Sequence, residues 1–190
     1  MIPLFLLRHG PTQASRQGAP LGSLDLPVEP AGEALWPAVK AELLELGIEQ
    51  VLCSDLLRAR RHAQDLGLPC QVLPGLREQA FGAWDGRPWS DITGAEAFFQ
   101  DPVGTAPPAG ESFTHCADRA LAAFQAGFGE RPTLVLAHAG PLRAILARHL
   151  GMPLERALDL SWQPFGLTRL EWHGPERAVL AWHNRPLGRS

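Results

Sequence analysis

The sequence has little of what defines several protein classes. Its 190 residues include three cysteines, Cys53, Cys70 and Cys116, an odd number without a paired-cysteine metal motif. That pattern suits a reducing cytoplasm better than a disulfide framework, and we interpret all three as buried thiols. No run approaches the roughly 20 apolar residues of a membrane span. The apolar start at 2–7 is too short for a signal peptide. We therefore expect a cytoplasmic protein without a membrane partner.

Excess charge is also absent. The formal net charge is -3 and the pI is near 6.1, so electrostatics gives no reason to expect nucleic acid or an anionic membrane as partner. Hydrophobic residues make up 45% and charged residues 19%, which is ordinary for a soluble globular protein. The chain has no internal repeat, and its length predicts a single domain over residues 1–190. A small anionic substrate would need a local basic pocket.

Short apolar runs alternate with stretches of helical periodicity, a pattern that predicts an α/β fold with a mainly parallel sheet. The predicted strands are 2–7, 50–53, 70–73 and 133–137. The predicted helices are about 31–46, 55–66, 112–128 and 140–150. Residues 166–172 and 177–183 predict an antiparallel pair at the sheet edge, turning at 173–175.

A long excursion separates the third predicted strand from the third helix. Residues 76–110 carry many of the proline, glycine and tryptophan residues. Loops of this length in compact domains are usually functional. We expect this segment to form a lid over the functional site.

Polar side chains follow three of the predicted strands. The segments are RHGPT at 8–12, SDLLR at 54–58 and HAGPLR at 138–143. Taken singly, each has a simpler explanation: a turn, a helix cap at Ser54, a structural histidine. Because strand ends of a parallel sheet gather at one edge, where helix N-termini offer free N–H groups, the three together favour a common anion pocket.

These segments resemble the ordered sequence blocks of the histidine phosphatase superfamily, which includes the cofactor-dependent phosphoglycerate mutases. LRHGPT at 7–12 resembles the signature motif of that family. The other blocks are matched in order by 54–59, 76–78 with 81–86, 108–112 and 137–140. The resemblance implies a three-layer α/β/α sandwich of the phosphoglycerate mutase type, with an antiparallel edge strand beside the mainly parallel sheet.

The resemblance also implies a mechanism that requires no metal and no other cofactor. His9 matches the nucleophile, a neutral imidazole that becomes phosphorylated, with one ring nitrogen held as donor so that the other presents its lone pair. Glu78 matches the general acid that protonates the leaving group and then acts as base for water. The alternative for Glu78 is a solvated loop carboxylate.

The same resemblance assigns the phosphate-binding residues. Arg8 and Arg58 match catalytic arginines that hold the phosphoryl oxygens, and His138 matches a catalytic second histidine that donates to them. The backbone N–H of Ala139 adds a donor, and Ser15 stands where the family often has a phosphate-binding asparagine.

Four further charged residues are ambiguous. For Arg77, Asp85, Glu111 and Arg143, supporting roles at the site and purely structural roles are equally open. The arginines at 60–61 are best explained as a solvated helical face.

Within the family, the short chain favours hydrolysis over mutase transfer. Segments 22–27, 81–89 and 138–143 are most similar to α-ribazole phosphatases of cobalamin biosynthesis, which implies α-ribazole 5′-phosphate as substrate. Trp84, Trp89 and Phe81 are candidates for stacking its aromatic base, with core packing as the alternative.

Other functions and assemblies stay open. A broad-specificity phosphatase, a phosphoglycerate mutase and a non-catalytic phosphate-binding module are the alternatives. The expected partner is a small phosphate ester, and the protein could be a monomer or a homodimer.

Overall fold

A six-stranded sheet organises the chain in the computed structural model, which describes residues 1–175 and 177–188. The strands are β1 (Ile2–Arg8), β2 (Gln50–Cys53), β3 (Cys70–Val72), β4 (Thr133–Ala137), β5 (Gly166–Gly174) and β6 (Arg177–Pro186). Their order across the sheet is β3-β2-β4-β1-β5-β6. The first four run parallel, β5 runs antiparallel to β1, and β6 runs antiparallel to β5 at the edge.

Seven α-helices connect or flank the strands within the described residues. They are α1 (Gln13–Arg16), α2 (Pro30–Leu44), α3 (Leu57–Asp65), α4 (Glu96–Gln100), α5 (Phe113–Gly127), α6 (Ala139–Leu150) and α7 (Leu154–Ala157). Local sequence sets several ends. Pro30 occupies the first turn of α2, where its missing N–H costs nothing. The Ser112 side chain caps α5, and Gly151 ends α6 in the left-handed conformation.

Two apolar cores lie on opposite faces of the sheet. On one face, Trp36 and Val39 of α2 and Ala59 of α3 pack against β1, β2 and β4. On the other, Phe124 of α5 and Ile145 of α6 pack against the alternate residues of the same strands. The strands are buried on both faces, as a parallel sheet between helices requires. The predicted three-layer α/β/α sandwich is confirmed.

The predicted helices and the first four strands are confirmed, with ends shifted by two residues or fewer. The short helices α1, α4 and α7 were not predicted, because four or five residues are too few to show a helical period. The turn predicted at 173–175 begins later, since Gly174 still pairs with Arg177. Cys53 and Cys116 are buried as expected, whereas Cys70 is only half-buried because it begins edge strand β3.

Residues 76–110 contain an apolar cluster of their own. Three short 3-10 helices lie in or beside this segment, at Pro74–Leu76, Gly82–Trp84 and Trp89–Asp91. Trp84, Ala95 and Phe98 form the buried centre of the cluster, and Phe81 and Trp89 pack against it. We refer to this group as the excursion cluster.

No helix in the described part of the chain is long and apolar enough to cross a membrane.

The sheet order brings three sequence motifs together. Strands β2, β4 and β1 are adjacent and parallel, so the residues after their carboxyl ends lie side by side. The His9 N–H donates to the carbonyl of Ala137 at 3.0 Å, and the Ser54 N–H donates to the carbonyl of Leu136 at 3.2 Å. His9, Ser54 and His138 thus share one edge of the sheet.

Candidate active site

A cavity of about 360 Å³ opens at this edge. It is bounded by β1 and the loop after it, by the excursion and by the start of α6. The lining residues are Arg8, His9, Thr12, Ser15, Gly18, Ala19, Pro20, Leu21, Glu78, Phe81, Trp89, Ala139 and Arg143. Two guanidinium groups, one imidazole and one carboxyl group therefore face a single space.

His9 is held as a neutral imidazole. Its Nδ1 lies 2.6 Å from the carbonyl oxygen of Gly10, and because a carbonyl only accepts, Nδ1 carries the proton and Nε2 keeps a lone pair. Burial, followed by the charges of Arg58 and Arg8, lowers the pKa of His9 well below its usual value of 6.5. The neutral ring therefore keeps the Nε2 lone pair that a nucleophile needs near neutral pH.

His138 lies behind His9 and does not line the cavity. It is fully buried, and its ring centroid is 4.9 Å from that of His9. Arg58 Nε donates to Nδ1 at 3.2 Å, so the ring proton lies on Nε2, which donates to Ser54 Oγ at 2.9 Å. Burial, together with the charge of Arg58, lowers the pKa of His138 well below 6.5. Both ring nitrogens are already hydrogen-bonded.

Arg58 also lies outside the cavity lining and is 1% exposed. Besides His138, its guanidinium donates to the carbonyls of Leu24 at 2.7 Å, Gly22 at 2.9 Å and Leu21 at 3.3 Å. Most of its five N–H groups are therefore used within the protein.

Arg8 presents a donor without an acceptor. Its Nη1 donates to the carbonyl of Trp162, whereas its Nε is buried and has no hydrogen-bond partner within residues 1–175 and 177–188. Buried N–H groups nearly always have a partner. Arg8 as a residue lines the cavity, and its charge lies beside the space that an anion would occupy.

Glu78 is fixed at the start of α6. Its Oε1 accepts from the backbone N–H groups of Gly140 at 2.9 Å and of Gln79 at 3.0 Å. The helix N-terminus provides free N–H groups and a partial positive charge that suit a carboxylate. With Oε1 held in this way, Oε2 remains for chemistry in the cavity.

Comparisons with known proteins agree with this geometry. The sequence model of the histidine phosphatase superfamily (branch 1) matches residues 4–185. The chain belongs to that superfamily. It is an enzyme of the histidine phosphatase type, since its named relatives are phosphatases and phosphoglycerate mutases.

Three relatives illustrate the range of this superfamily. The "Adenosylcobalamin/alpha-ribazole phosphatase" of Escherichia coli K12 is 30% identical over 80% of this chain and 81% of its own length. The "Probable phosphoglycerate mutase GpmB" of E. coli O1:K1 is 32% identical over 90% of this chain and 86% of its own. A solved E. coli K-12 structure, described as "a putative alpha-ribazole-5'-P phosphatase", superposes with a TM-score of 0.87 and 28% identity, and the match covers 97% of this chain and 96% of the other.

The other predicted site residues of this histidine phosphatase are divided between the cavity and its surroundings. Ser15 lines the cavity, but its hydroxyl donates to the Thr12 carbonyl at 2.6 Å and caps α1. Ala139 lines the cavity as the first residue of α6. Phe81 and Trp89 also line it, whereas Trp84 is buried in the excursion cluster and does not.

Sequence reasoning missed Arg119, which fixes the backbone around Glu78. Its guanidinium donates to the carbonyls of Gly75 at 2.7 Å, Arg77 at 3.1 Å and Glu78 at 3.3 Å. It also pairs with Glu111, whose Oε1 accepts from the Ala80 N–H at 3.0 Å. The sequence contains a signal for this role, because Arg119 is a charged residue next to Ala120 and three residues after Cys116. The structure shows that both of these neighbours on α5 are buried.

Asp85 holds the loop that surrounds Arg58. Its carboxylate accepts from the backbone N–H groups of Gly22 at 2.7 Å, Ser23 at 2.6 Å and Leu24 at 3.0 Å. The carbonyls of the same loop accept from Arg58. Asp85 thus links the excursion to Arg58 and, through it, to His138.

Proposed function

We propose that this histidine phosphatase is a phosphomonoesterase that needs no metal ion and forms a phosphohistidine on His9. The observation that carries the proposal is the state of His9. Its Nδ1 proton is engaged by the Gly10 carbonyl and its pKa is depressed, which leaves Nε2 as a nucleophile beside an anion-compatible cavity.

In the first step, His9 Nε2 attacks the phosphorus atom and the bond to the ester oxygen breaks. Glu78, entering as the carboxylic acid, gives its proton to the departing oxygen, so the alcohol leaves neutral. The phosphoryl charge is held by fixed groups that line the cavity, which include the Arg8 guanidinium and the Ala139 N–H at the start of α6.

In the second step, water attacks the phosphohistidine. Glu78, now a carboxylate, takes a proton from that water as the P–N bond breaks and inorganic phosphate forms. His138 and Arg58 remain proposed catalytic residues. For His138 to donate to a phosphoryl oxygen, its Nε2–H has to exchange Ser54 Oγ for that oxygen.

The proposed substrate is α-ribazole 5′-phosphate. Two observations support it: several relatives carry the α-ribazole phosphatase name, and Phe81 and Trp89 give the cavity an aromatic side. Aromatic rings stack on planar bases and favour them over small aliphatic groups.

A second candidate is a phosphoglycerate mutase, favoured by the GpmB relatives. The two candidates differ in the fate of the phosphoryl group, because a mutase returns it to an organic acceptor whereas a phosphatase passes it to water. A broad-specificity phosphatase would hydrolyse many esters at similar rates.

The deciding experiment measures phosphate release from α-ribazole 5′-phosphate, 3-phosphoglycerate and phenyl phosphate in the presence of a chelator. We expect rapid hydrolysis, the highest kcat/KM for the first substrate, and an acid-labile phosphoenzyme in quenched samples. His9→Ala should abolish turnover and the phosphoenzyme, whereas His173→Ala, at an exposed histidine, should match wild type.

Each of the other outcomes would indicate a different function. Similar rates on all three esters would indicate a broad-specificity phosphatase. Interconversion of phosphoglycerates without net phosphate release would indicate the mutase. Phosphate binding without turnover of any ester would indicate a non-catalytic module.

A further inference from the structure

A carboxylate of the excursion fixes the backbone of residues 21–24, a segment that we call the arginine loop. Residues 21–24 lie in neither a helix nor a strand. The Asp85 carboxylate accepts from the N–H groups of Gly22 at 2.7 Å, Ser23 at 2.6 Å and Leu24 at 3.0 Å. Hydrogen bonds to an ionised group are roughly twice as strong as neutral ones. Asp85 therefore determines the path of the arginine loop.

The other side of the arginine loop holds Arg58. The guanidinium donates to the carbonyls of Leu24 at 2.7 Å, Gly22 at 2.9 Å and Leu21 at 3.3 Å. The peptide units 21–22 and 22–23 each accept from Arg58 through C=O and donate to Asp85 through N–H. Because these groups point in opposite directions across a trans peptide, the loop lies between the two charges, and hydrogen bonds in such a chain strengthen one another.

Arg58 passes this constraint on to His138. Its Nε donates to His138 Nδ1 at 3.2 Å. Burial lowers the pKa of Arg58, whereas the charges of Glu78, Asp25 and Asp85 raise it. Arg58 and His138 are both proposed to act on the transferred phosphoryl group, so the orientation of each depends on the carbonyls that Asp85 holds in place.

The arginine loop has little room to move by itself. A Cβ at position 22 would lie 2.2 Å from the carbonyl oxygen of Gln79, so the loop lies directly against the excursion there. At its other end, Asp25 Oδ1 accepts from the Leu57 N–H at 2.5 Å, at the start of the helix that carries Arg58. A change at Asp85 is therefore transmitted to Arg58.

We propose that Asp85 is a positioning residue for the phosphatase reaction, which fixes Arg58 through the arginine loop and His138 through Arg58. This inference rests on the proposed function. Asp85 does not line the cavity and acts on groups that hold the phosphoryl oxygens. Its loss should therefore affect all phosphate esters alike, whatever their leaving group.

The kinetic test compares Asp85→Asn with Asp91→Asn, the same change at an exposed aspartate of the excursion. The amide nitrogen of asparagine cannot accept a hydrogen bond, so the arginine loop should lose part of its support. We expect kcat/KM to fall at least about 10-fold, by the same factor for phenyl phosphate and 3-phosphoglycerate. Asp91→Asn should match wild type, and Asp85→Glu, which keeps the charge, should lose less than Asp85→Asn.

A double-mutant cycle tests whether Asp85 acts through Arg58. Arg58→Gln removes the guanidinium that the arginine loop holds. In this background, Asp85→Asn should change kcat/KM by no more than about twofold, because residues that act through one shared group are not additive.

Imidazole NMR reads the position of His138 without any turnover. The ¹⁵N resonance of an unprotonated ring nitrogen moves upfield when that nitrogen accepts a hydrogen bond, as His138 Nδ1 does from Arg58. In Asp85→Asn this resonance should move downfield, toward its position in Arg58→Gln, whereas Asp91→Asn should leave it in place. His138→Gln assigns the signal.

Four results would overturn the inference. One is a folded Asp85→Asn with the kcat/KM of Asp91→Asn, and another is an equal loss from Asp85→Asn in the wild-type and Arg58→Gln backgrounds. The third is an unchanged His138 Nδ1 resonance in Asp85→Asn. The fourth is a loss that differs between the two esters, which would place the action of Asp85 on the leaving group through the excursion.

Failure of the proposed function is a separate outcome. If wild type neither turns over nor forms a phosphoenzyme, the phosphatase proposal fails, and the Nδ1 resonance still tests the link from Asp85 to His138. A downfield shift in Asp85→Asn would then uphold the positioning role, and an unchanged resonance would refute it.

Discussion

Glu78 Oε1 lies 2.9 Å from the backbone nitrogen of Gly140, and a Cβ added at position 140 would lie only 2.2 Å from that same oxygen. Gly140→Ala must therefore displace the carboxyl group. We expect kcat on alkyl phosphates to fall at least 10-fold, because a misplaced general acid loses most of its effect. Steady-state phosphate release measures this loss.

A double variant tests the cause. Glu78→Asp shortens the carboxylate by one methylene and makes room for the new methyl group. Adding Gly140→Ala to Glu78→Asp should therefore cost much less than adding it to wild type. Additive losses in the two backgrounds would place the effect of Gly140→Ala elsewhere in α6.

The depressed pKa of His9 predicts that the enzyme keeps its activity as the pH falls slightly below neutral. Because the folded protein keeps this ring neutral below its usual pKa of 6.5, the rate of phosphohistidine formation should not fall through protonation of His9 between pH 7.5 and 6.5. Burst-phase kinetics across this range measure the step directly. An acid limb centred at or above pH 6.5 would show that the nucleophile titrates like a free histidine.

The same shifts predict how stability depends on pH. The folded-state pKa values of His9 and His138 are lowered by burial, so below about pH 6.5 the unfolded chain binds protons that the folded chain does not. The contribution of these two histidines to the free energy of unfolding is fully present above pH 6.5 and declines as the pH falls below that value. Urea unfolding at pH 7.5 and 5.5 should show the decline.

His9→Asn should make that decline smaller, because it removes one of the groups that titrate on unfolding. The pKa values of three further histidines are also lowered by burial and account for the remaining dependence: His62, His149 and His183. An equal pH dependence in wild type and His9→Asn would contradict the assignment to His9.

Replacing Arg119 should slow phosphohistidine formation most for esters with a poor leaving group. Its hydrogen bonds fix the backbone of 75–78, so Arg119→Gln should let Glu78 move and weaken protonation of the departing oxygen. In single-turnover experiments, we expect at least a 10-fold slower phosphohistidine formation from an alkyl phosphate. Formation from p-nitrophenyl phosphate should change little, because nitrophenolate leaves without a proton.

Arg131→Gln, at an exposed arginine before β4, is the matched control for Arg119→Gln. If Arg119→Gln slows both leaving groups by the same factor, Arg119 maintains the fold in general and does not position the general acid.

Cys70 should be the first cysteine to react with iodoacetamide. It is half-buried, and a hydrogen bond from Cys53, at an Sγ–Sγ distance of 3.6 Å, lowers its pKa. A hydrogen bond to Cys70 raises the pKa of Cys53, burial raises that of Cys116, and both residues are buried. Since the thiolate is the reactive form, peptide mass spectrometry over time should find label at Cys70 first.

Cys53→Ala should slow the labelling of Cys70, because it removes the hydrogen bond that favours the thiolate. Earlier labelling at Cys116 than at Cys70 in the native protein would contradict the burial of Cys116.

The parts of the fold and site that could be predicted depend on local sequence. The strands that surround the site are continuous apolar runs, which predict a parallel sheet. Because His9, Ser54 and His138 directly follow these strands, they lie at one edge of the sheet regardless of loop conformation. The tautomer of His9 is also local, since its partner is the neighbouring Gly10 carbonyl. The lid role of residues 76–110 and the single-domain organisation stay predictions.

The orientation of the arginines depends on distant segments and could not be predicted. Arg58 and Arg143 both follow strands that end at the site, and the family resemblance assigns phosphate binding to Arg58 while leaving the role of Arg143 open. The carbonyls of Leu21, Gly22 and Leu24 fix the guanidinium of Arg58, and the carbonyl of Leu160 fixes that of Arg143. Likewise, sequence does not show that Trp84 packs inward while Trp89 reaches the cavity.

The excursion cluster makes the packing around Phe81 and Trp89 independent of the packing of the sheet. Trp84 and Phe98 pack on each other and on their neighbours in the excursion, apart from the two cores that flank the sheet. Changes at Phe81 or Trp89 can therefore alter which esters fit without disturbing the strands that carry His9. Under the proposed function, substrate preference can diversify at these two positions while Glu78, which belongs to the same segment, keeps its hydrogen bond to the start of α6.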